Sequence, residues 1–242
     1  MSALLARHLP TGWRELAAGY LSAISGSVGR LVFSLAYFVI LANTLTIAEF
    51  GLFATASAMG VVLSRLVAFG FSSPLYRAAT MRPRLIGLYT GGYLAMTAAS
   101  LPVLAVAAAV VYMIVFAGDM RPLPFALVIA TEALVWRSAE IVIIVNNGMN
   151  RFGRAAALVI LGTAMRALAA LGFLLAAAGS TVGAWAPWYA AANLATLLIA
   201  VAWFHPRQRL RFHPGLIRRR LSDSLAVKPD RKSTRLNSSH VR

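Results

Sequence analysis

Six stretches of the sequence are apolar over about 20 residues or more, and this property constrains the fold more than any other. A bilayer core about 30 Å thick needs about 20 mostly apolar residues per helix, so each stretch predicts one transmembrane helix. The predicted spans are 18–43, 50–72, 86–117, 123–146, 155–178 and 181–204. No polar turn interrupts the third stretch, which predicts a single tilted helix kinked near Pro102. We therefore expect an all-α, multi-pass membrane protein with one six-span bundle over residues 18–205.

The composition excludes a soluble alternative. Of the 242 residues, 60% are hydrophobic and only 12% are charged, whereas a soluble domain has roughly 25% charged residues. A soluble domain cannot cover so much apolar side chain with so little polar surface. The net charge is +16. In a membrane protein this excess favours membrane lipids or an anionic substrate as partners, and we expect no nucleic-acid partner.

Charge alternates between the links that join the spans. The basic residues lie in the N-terminal segment, in the links after spans two and four, and after span six: Arg7, Arg14, Arg77, Arg82, Arg84, Arg151, Arg154, Arg207, Arg209, Arg211, Arg218, Arg219 and Arg220. The other three links are nearly neutral. The positive-inside rule therefore places both ends of the chain in the cytoplasm.

Three segments lie outside the predicted spans. Residues 1–17 are predicted to be a cytoplasmic or interfacial segment. Residues 206–229 predict a basic cytoplasmic linker, in which an amphipathic surface helix and a solvated connection to a further span fit the pattern equally well. Residues 230–242 resemble one reading frame of a sequencing adapter, which predicts an artefact and a natural gene that continues past residue 229.

The residues of common catalytic and metal sites are missing from the sequence. The chain has no cysteine, and its four histidines lie outside the apolar stretches without ligand spacing: His8, His205, His213 and His240. There is no phosphate-binding glycine loop followed by lysine, no nucleophile-elbow serine and no paired-histidine motif. We therefore expect that the protein is not an enzyme and that it needs no metal or cofactor.

Six charged residues lie inside the predicted spans: Arg30, Arg65, Glu132, Arg137, Glu140 and Arg166. An arginine at the centre of a span costs about 2.5 to 3.5 kcal/mol unless it is paired or hydrated. Helical spacing places Glu132, Arg137 and Glu140 on one side of the fourth span, with Arg137 and Glu140 one turn apart. Four cations exceed two anions, which predicts a hydrated cationic cavity. We expect its substrate-binding arginines to hold an anionic phosphate or pyrophosphate headgroup: Arg30, Arg65, Arg137 and Arg166.

Other interpretations of these charges stay open. Glu132 and Glu140 can pair with Arg137 and Arg166 in buried salt bridges that only hold helices together, or they can carry protons in an antiporter. Arg65 lies towards the inner end of its span, where a long side chain can reach the inner membrane surface.

Aromatic and small residues add predictions about packing. Aromatic residues near both ends of the sixth span predict interface belts: Trp185, Trp188 and Tyr189 outside, Trp203 and Phe204 inside. Gly87 and Gly91, four positions apart, predict close packing between helices.

Four features occur in order along the chain. They are Arg30 in the first span, residues 46–54 (TIAEFGLFA) in the outer link, residues 69–77 (FGFSSPLYR) at the end of the second span, and residues 147–154 (NGMNRFGR) in an inner link. With these features, residues 12–229 resemble the polysaccharide biosynthesis flippases. These are lipid-linked oligosaccharide translocases of the multidrug/oligosaccharidyl-lipid/polysaccharide exporter superfamily.

The resemblance implies a fold of two six-helix lobes around a central cationic cavity, of which this chain is the N-terminal half. Its missing partner would be the C-terminal lobe. The implied substrate is an oligosaccharide linked to polyprenyl pyrophosphate. It would be moved to the outer leaflet of the bacterial inner membrane by alternating access, in the synthesis of cell-surface polysaccharide such as lipopolysaccharide. Arg30, Arg65 and Arg166 would line the cavity, and Glu140 would orient Arg137.

Two alternatives to this function remain. A cation-coupled multidrug exporter of the same superfamily should have a cavity dominated by acidic residues, whereas basic residues are in excess here. A non-transporting membrane scaffold subunit would bind glycosyltransferase partners through the basic tail.

Overall fold

The computed structural model describes residues 13–212 and 215, with side chains from residue 28 onwards. Residues 1–12 of the predicted segment 1–17, the basic stretch around Arg218 to Arg220 and the adapter-like residues 230–242 lie outside the described residues. Within the described part of the chain, every regular element is helical.

The first half of the chain forms four helices. Their bounds are α1 Trp13–Thr44, α2 Ile47–Leu63, α3 Ser72–Met81 and α4 Ile86–Val111. A 3-10 turn, Ser64–Gly70, follows α2, a second one, Pro83–Leu85, precedes α4, and the π-helical turn Tyr112–Phe116 extends α4. The helix α4 continues through Pro102, which agrees with a single helix in this stretch.

The second half forms four further helices. Their bounds are α5 Pro122–Ala130, α6 Arg137–Gly148, α7 Phe152–Leu175 and α8 Val182–Ile199. The π-helical turn Thr131–Trp136 joins α5 to α6 in one helical run, and the π-helical turn Ala200–Phe204 extends α8.

Four helical stretches are long and apolar enough to cross a membrane: Ile47–Gly70, Pro83–Phe116, Phe152–Leu175 and Val182–Phe204. The part of α1 with described side chains, Val28–Thr44, is apolar but shorter. The helical run 122–148 contains Glu132, Arg137 and Glu140 and does not belong to this set. The chain is therefore a helical membrane protein.

The core lies between α2, α4, α5 and α8, while α1 packs mainly along α7. Trp185 and Tyr189 of α8 are 0% and 1% exposed and pack edge-on against Phe53 of α2. The prediction that Trp185 and Tyr189 belong to an interface belt is therefore wrong. Both rings lie in the interior of the bundle.

The helical stretch predicted as span 50–72 is broken. After α2 ends at Leu63, Val67 is extended, and Ala68 and Phe69 adopt left-handed backbone with φ of 56° and 46°. The N–H of Ala68 donates to Oγ of Ser100 at 3.1 Å, which replaces a helical hydrogen bond. The chain then forms α3, so Arg77 lies in a helix and not in the predicted link.

Gly87 and Gly91 of α4 accommodate the chain that follows α8. A Cβ atom at either position would overlap the carbonyl oxygen of Arg209 or Arg211. The N–H of Gly87 donates to Oε1 of Gln208 at 2.9 Å, and the N–H of Arg211 donates to the carbonyl of Gly87 at 3.3 Å. These glycines therefore allow a non-helical segment to approach α4. The sequence predicts close packing against another helix, whereas the closest neighbours belong to the segment after α8.

Candidate functional site

Glu132 is the centre of a buried polar cluster. Its side chain is only 4% exposed. Oε1 accepts hydrogen bonds from Oγ of Ser57 at 2.7 Å and from the hydroxyl of Tyr189. Oε2 lies 4.0 Å from Nη2 of Arg166, whose Nε donates to Oδ1 of Asn193 at 2.9 Å. We call Glu132, Ser57, Tyr189, Arg166 and Asn193 the Glu132 cluster.

Two local features position Glu132 in this cluster. It lies in the π-helical turn Thr131–Trp136, and π-helical turns change the direction in which side chains project from a helix. Gly60 of α2 faces it, because a Cβ atom there would lie 2.7 Å from Cβ of Glu132. The absence of a side chain at Gly60 therefore lets α2 approach the carboxylate closely enough for Ser57 to reach it.

The guanidinium of Arg166 is held between aromatic rings as well as by polar atoms. Its central carbon lies 4.3 Å from the ring centre of Trp136 and 5.3 Å from that of Tyr189. Such cation–π contacts contribute about 0.5 to 2 kcal/mol, more when the cation is desolvated. The cluster thus holds Arg166 inside the bundle and sets its charge opposite that of Glu132, although Nη2 itself has no hydrogen-bond partner among the described residues.

A second ion pair joins Arg137 to Glu140, one turn apart on α6. Nη2 of Arg137 also donates to Oγ of Ser72 at 3.2 Å. Ser72 is the first residue of α3, three residues after Phe69 in the left-handed turn. Arg137 therefore connects α6 to the start of α3, just past the break that follows α2.

Arg30 and Arg65 have a different environment. Both are exposed, and among the described residues neither makes a salt bridge or a side-chain hydrogen bond. Arg30 lies on a face of α1 whose neighbouring apolar side chains are also exposed, including Leu31 at 68%. Arg65 lies on the 3-10 turn that follows α2. Two arginines within apolar helical stretches thus point away from the rest of the bundle.

The predicted site residues lie in three separate places. Arg166 lies with Glu132, Arg137 lies with Glu140, and Arg30 and Arg65 are on the surface. The two ion pairs agree with the alternative interpretation, in which Glu132 and Glu140 form salt bridges with Arg137 and Arg166. The three charges predicted on one side of the fourth span have different partners: Glu132 contacts α2 and α8, whereas Arg137 contacts α3. A π-helical turn that the sequence pattern does not show lies between Glu132 and Arg137.

Several partners of these charges were not predicted from the sequence: Ser57, Ser72, Trp136, Tyr189 and Asn193. Each is a hydroxyl, amide or amphipathic aromatic residue inside an apolar stretch. Polar side chains of this kind commonly hydrogen-bond between membrane helices. Their presence in the apolar stretches is therefore the signal by which they could have been found.

Comparisons of the sequence with family models, with curated proteins and with solved structures found no match. The function of the chain is therefore inferred from its own residues and contacts.

Proposed function

We propose that the chain is the N-terminal lobe of a flippase that moves polyprenyl-pyrophosphate-linked oligosaccharide across the bacterial inner membrane for the synthesis of cell-surface polysaccharide. The observation that carries this proposal is the exposure of Arg30 on an apolar face of α1. A guanidinium that faces lipid at mid-span costs about 2.5 to 3.5 kcal/mol. This face of α1 is therefore better suited to a water-filled cleft beside a second lobe than to lipid.

The proposal includes six spans with both ends of the chain in the cytoplasm. The four long apolar stretches supply four spans, and α1 and the run 122–148 supply the other two. The run 122–148 would span about 40 Å at a rise of about 1.5 Å per residue, enough for the bilayer core. Its three charges are acceptable at that depth because each lies in an ion pair. The alternation of basic and neutral links supports the orientation.

The headgroup of the substrate would bind to Arg30 and Arg65. A guanidinium presents donors in a planar fork that matches two oxygens of a phosphate, and it stays charged at every physiological pH. Arg137 and Arg166 would position helices instead, because carboxylates already balance their charges.

The break after α2 supports a transport role for Arg65. Irregular backbone at membrane depth is tolerated where it is buried in protein or lines a cavity, and broken helices form the binding sites of many secondary transporters. Ala68 at this break is hydrogen-bonded to Ser100, near the middle of the apolar stretch Pro83–Phe116. Arg65 would thus meet the headgroup well inside the membrane. The polyprenyl tail would stay in lipid while the two lobes reorient, and no covalent bond would change.

Binding of farnesyl pyrophosphate to the purified full chain tests this proposal. Arg30→Gln and Arg65→Gln should each raise the dissociation constant about tenfold, because each removes one charge-assisted contact to the pyrophosphate. The matched control is Arg121→Gln, which removes an exposed charge from the predicted outer link and should change the constant less than about twofold. Farnesol, which lacks the pyrophosphate, should bind all variants equally weakly.

Two results would contradict the proposal. One is wild-type affinity for farnesyl pyrophosphate in both variants, and the other is equal affinity of the wild-type chain for farnesyl pyrophosphate and farnesol. A chain without pyrophosphate-dependent binding would fit the scaffold alternative.

A further inference from the structure

A pocket of about 520 Å³ lies where the link between α6 and α7 meets the end of α8. Arg151 and Arg154 line it from the start of α7, and Arg207 lines it from the segment after α8. No Asp or Glu is among its lining residues. Among the described residues, none of the three arginines forms a salt bridge. Three guanidinium groups without an acidic partner make this pocket attractive to an anion.

The level of the pocket in the membrane follows from its neighbours. Trp203, which also lines the pocket, is 72% exposed and lies at the end of the apolar stretch Val182–Phe204. Exposed tryptophan at the end of an apolar helix is typical of the depth of lipid headgroups. Phe152 begins the apolar helix α7 beside the same pocket. An anion in the pocket would therefore lie level with the phosphates of the surrounding lipid.

His205 is another residue that lines this pocket. Its Nδ1 lies 3.0 Å from the carbonyl oxygen of Pro206, so Nδ1 carries the proton and donates it. Its Nε2 is buried and has no hydrogen-bond partner among the described residues. Burial lowers the pKa of His205 below its ordinary value of 6.5, which favours the neutral ring with an acceptor at Nε2. A ligand hydroxyl that displaces the atoms covering Nε2 would satisfy this nitrogen.

We propose that this pocket binds the headgroup of an anionic phospholipid that has a phosphodiester and a free hydroxyl, as in phosphatidylglycerol. Arg151, Arg154 and Arg207 bind the phosphodiester oxygens, and Nε2 of His205 accepts a hydrogen bond from the headgroup hydroxyl. Basic pockets between membrane helices on the cytoplasmic side bind anionic headgroups in this way. The site is separate from Arg30 and Arg65, and it does not depend on the flippase proposal. The bound lipid would connect the link between α6 and α7 to the chain after α8.

Native mass spectrometry of the full chain in a neutral detergent tests the site with phosphatidylglycerol, phosphatidylcholine and inorganic phosphate as probes. The wild-type chain should retain phosphatidylglycerol at concentrations at which phosphatidylcholine dissociates. The triple variant Arg151→Gln, Arg154→Gln, Arg207→Gln should weaken phosphatidylglycerol binding at least about tenfold. The control triple variant Arg77→Gln, Arg82→Gln, Arg84→Gln removes the same charge from exposed positions on the same predicted side and should weaken it less than about twofold.

Phosphatidylmethanol separates the role of His205 from that of charge, because it carries the same phosphodiester without a hydroxyl. The wild-type chain should prefer phosphatidylglycerol to phosphatidylmethanol by about threefold to tenfold, since one neutral hydrogen bond distinguishes them. His205→Phe should remove this preference and leave binding of phosphatidylmethanol unchanged.

Three outcomes would overturn the proposal. Equal losses in the two triple variants would mean diffuse attraction by net charge. Inorganic phosphate that binds as tightly as phosphatidylglycerol would mean an anion site that does not recognise lipid. A wild-type chain without preference for the hydroxyl would remove the role of His205. Thermal unfolding identifies a triple variant that does not fold, in which case Arg207→Gln alone should still weaken binding by more than Arg84→Gln.

Discussion

Arg166 and Arg30 are the same residue type in similarly apolar helices, but their surroundings differ. Arg166 on α7 has a carboxylate at 4.0 Å, an amide oxygen at 2.9 Å and two aromatic rings over its guanidinium. Arg30 on α1 is exposed among exposed aliphatic side chains. A charge inside a membrane helix can therefore have one of two uses. A paired charge fixes neighbouring helices, and a charge that points outward is available to bind something else.

A substitution should change the stability of the protein by different amounts at a paired charge and at an exposed one. Removing one partner of a buried ion pair leaves the other charge uncompensated and costs about 3 to 5 kcal/mol of stability. Replacing an exposed side chain changes stability by about 0.5 kcal/mol or less. Stability measurements on matched variants can therefore distinguish paired charges from exposed ones.

The largest expected effect is that of Glu132→Ala. It removes the carboxylate that faces Arg166 and the acceptor for Ser57 and Tyr189, so the free energy of unfolding should fall by about 3 kcal/mol or more. Denaturant unfolding in detergent measures this change. The double variant Glu132→Gln, Arg166→Gln should lose less than the sum of its two single variants, because both charges leave together. Additive losses would show that the two residues are not coupled.

A smaller effect is expected for Ser72→Ala. This substitution removes the hydroxyl that accepts from Arg137 at 3.2 Å, at a cost of about 1 kcal/mol. Ser73→Ala is the matched control, since Ser73 is the next residue of α3 and is exposed. If both variants unfold at the same denaturant concentration, Arg137 does not hold the broken helix to α6.

The smallest effect on stability is expected for Arg30→Gln and Arg65→Gln. Each should change the free energy of unfolding by about 0.5 kcal/mol or less, although each weakens the binding of farnesyl pyrophosphate. The same unfolding assay checks this prediction. A loss as large as that of Glu132→Ala would place Arg30 or Arg65 among the structural charges and remove the contrast with Arg166.

The sequence predicts the helices well because the length of an apolar stretch is a local property. Predicted span 181–204 corresponds to Val182–Phe204, and predicted span 86–117 lies within one residue at each end of α4 and its π-helical extension. That the chain is a helical membrane protein is confirmed. The number of spans, the orientation, the flippase function and the substrate-binding residues stay predictions.

The details that failed depend on contacts between distant parts of the chain. The break after α2 is supported by Ser100 of α4, and the π-helical turn that contains Glu132 does not show in the spacing of the charged residues. Tyr189 illustrates a second limit on such predictions. In water, burial of an aromatic residue follows from its hydrophobicity, but in a membrane hydrophobicity does not distinguish the bundle interior from lipid. The hydrophobicity of Tyr189 therefore does not assign it to the interior, and only its hydroxyl inside an apolar stretch points there.

The most direct measurement is the water accessibility of the α1 face that carries Arg30. The chain has no cysteine, so Ser34→Cys introduces a single thiol on α1, one helical turn from Arg30 and exposed. Val103→Cys on α4 is the control, an exposed aliphatic position near the middle of its apolar stretch. In proteoliposomes that contain this lobe together with the proposed second lobe, a membrane-impermeant anionic methanethiosulfonate should modify the thiol at position 34 and not the thiol at position 103. Equal protection of both thiols would place Arg30 against lipid and contradict the proposed binding site.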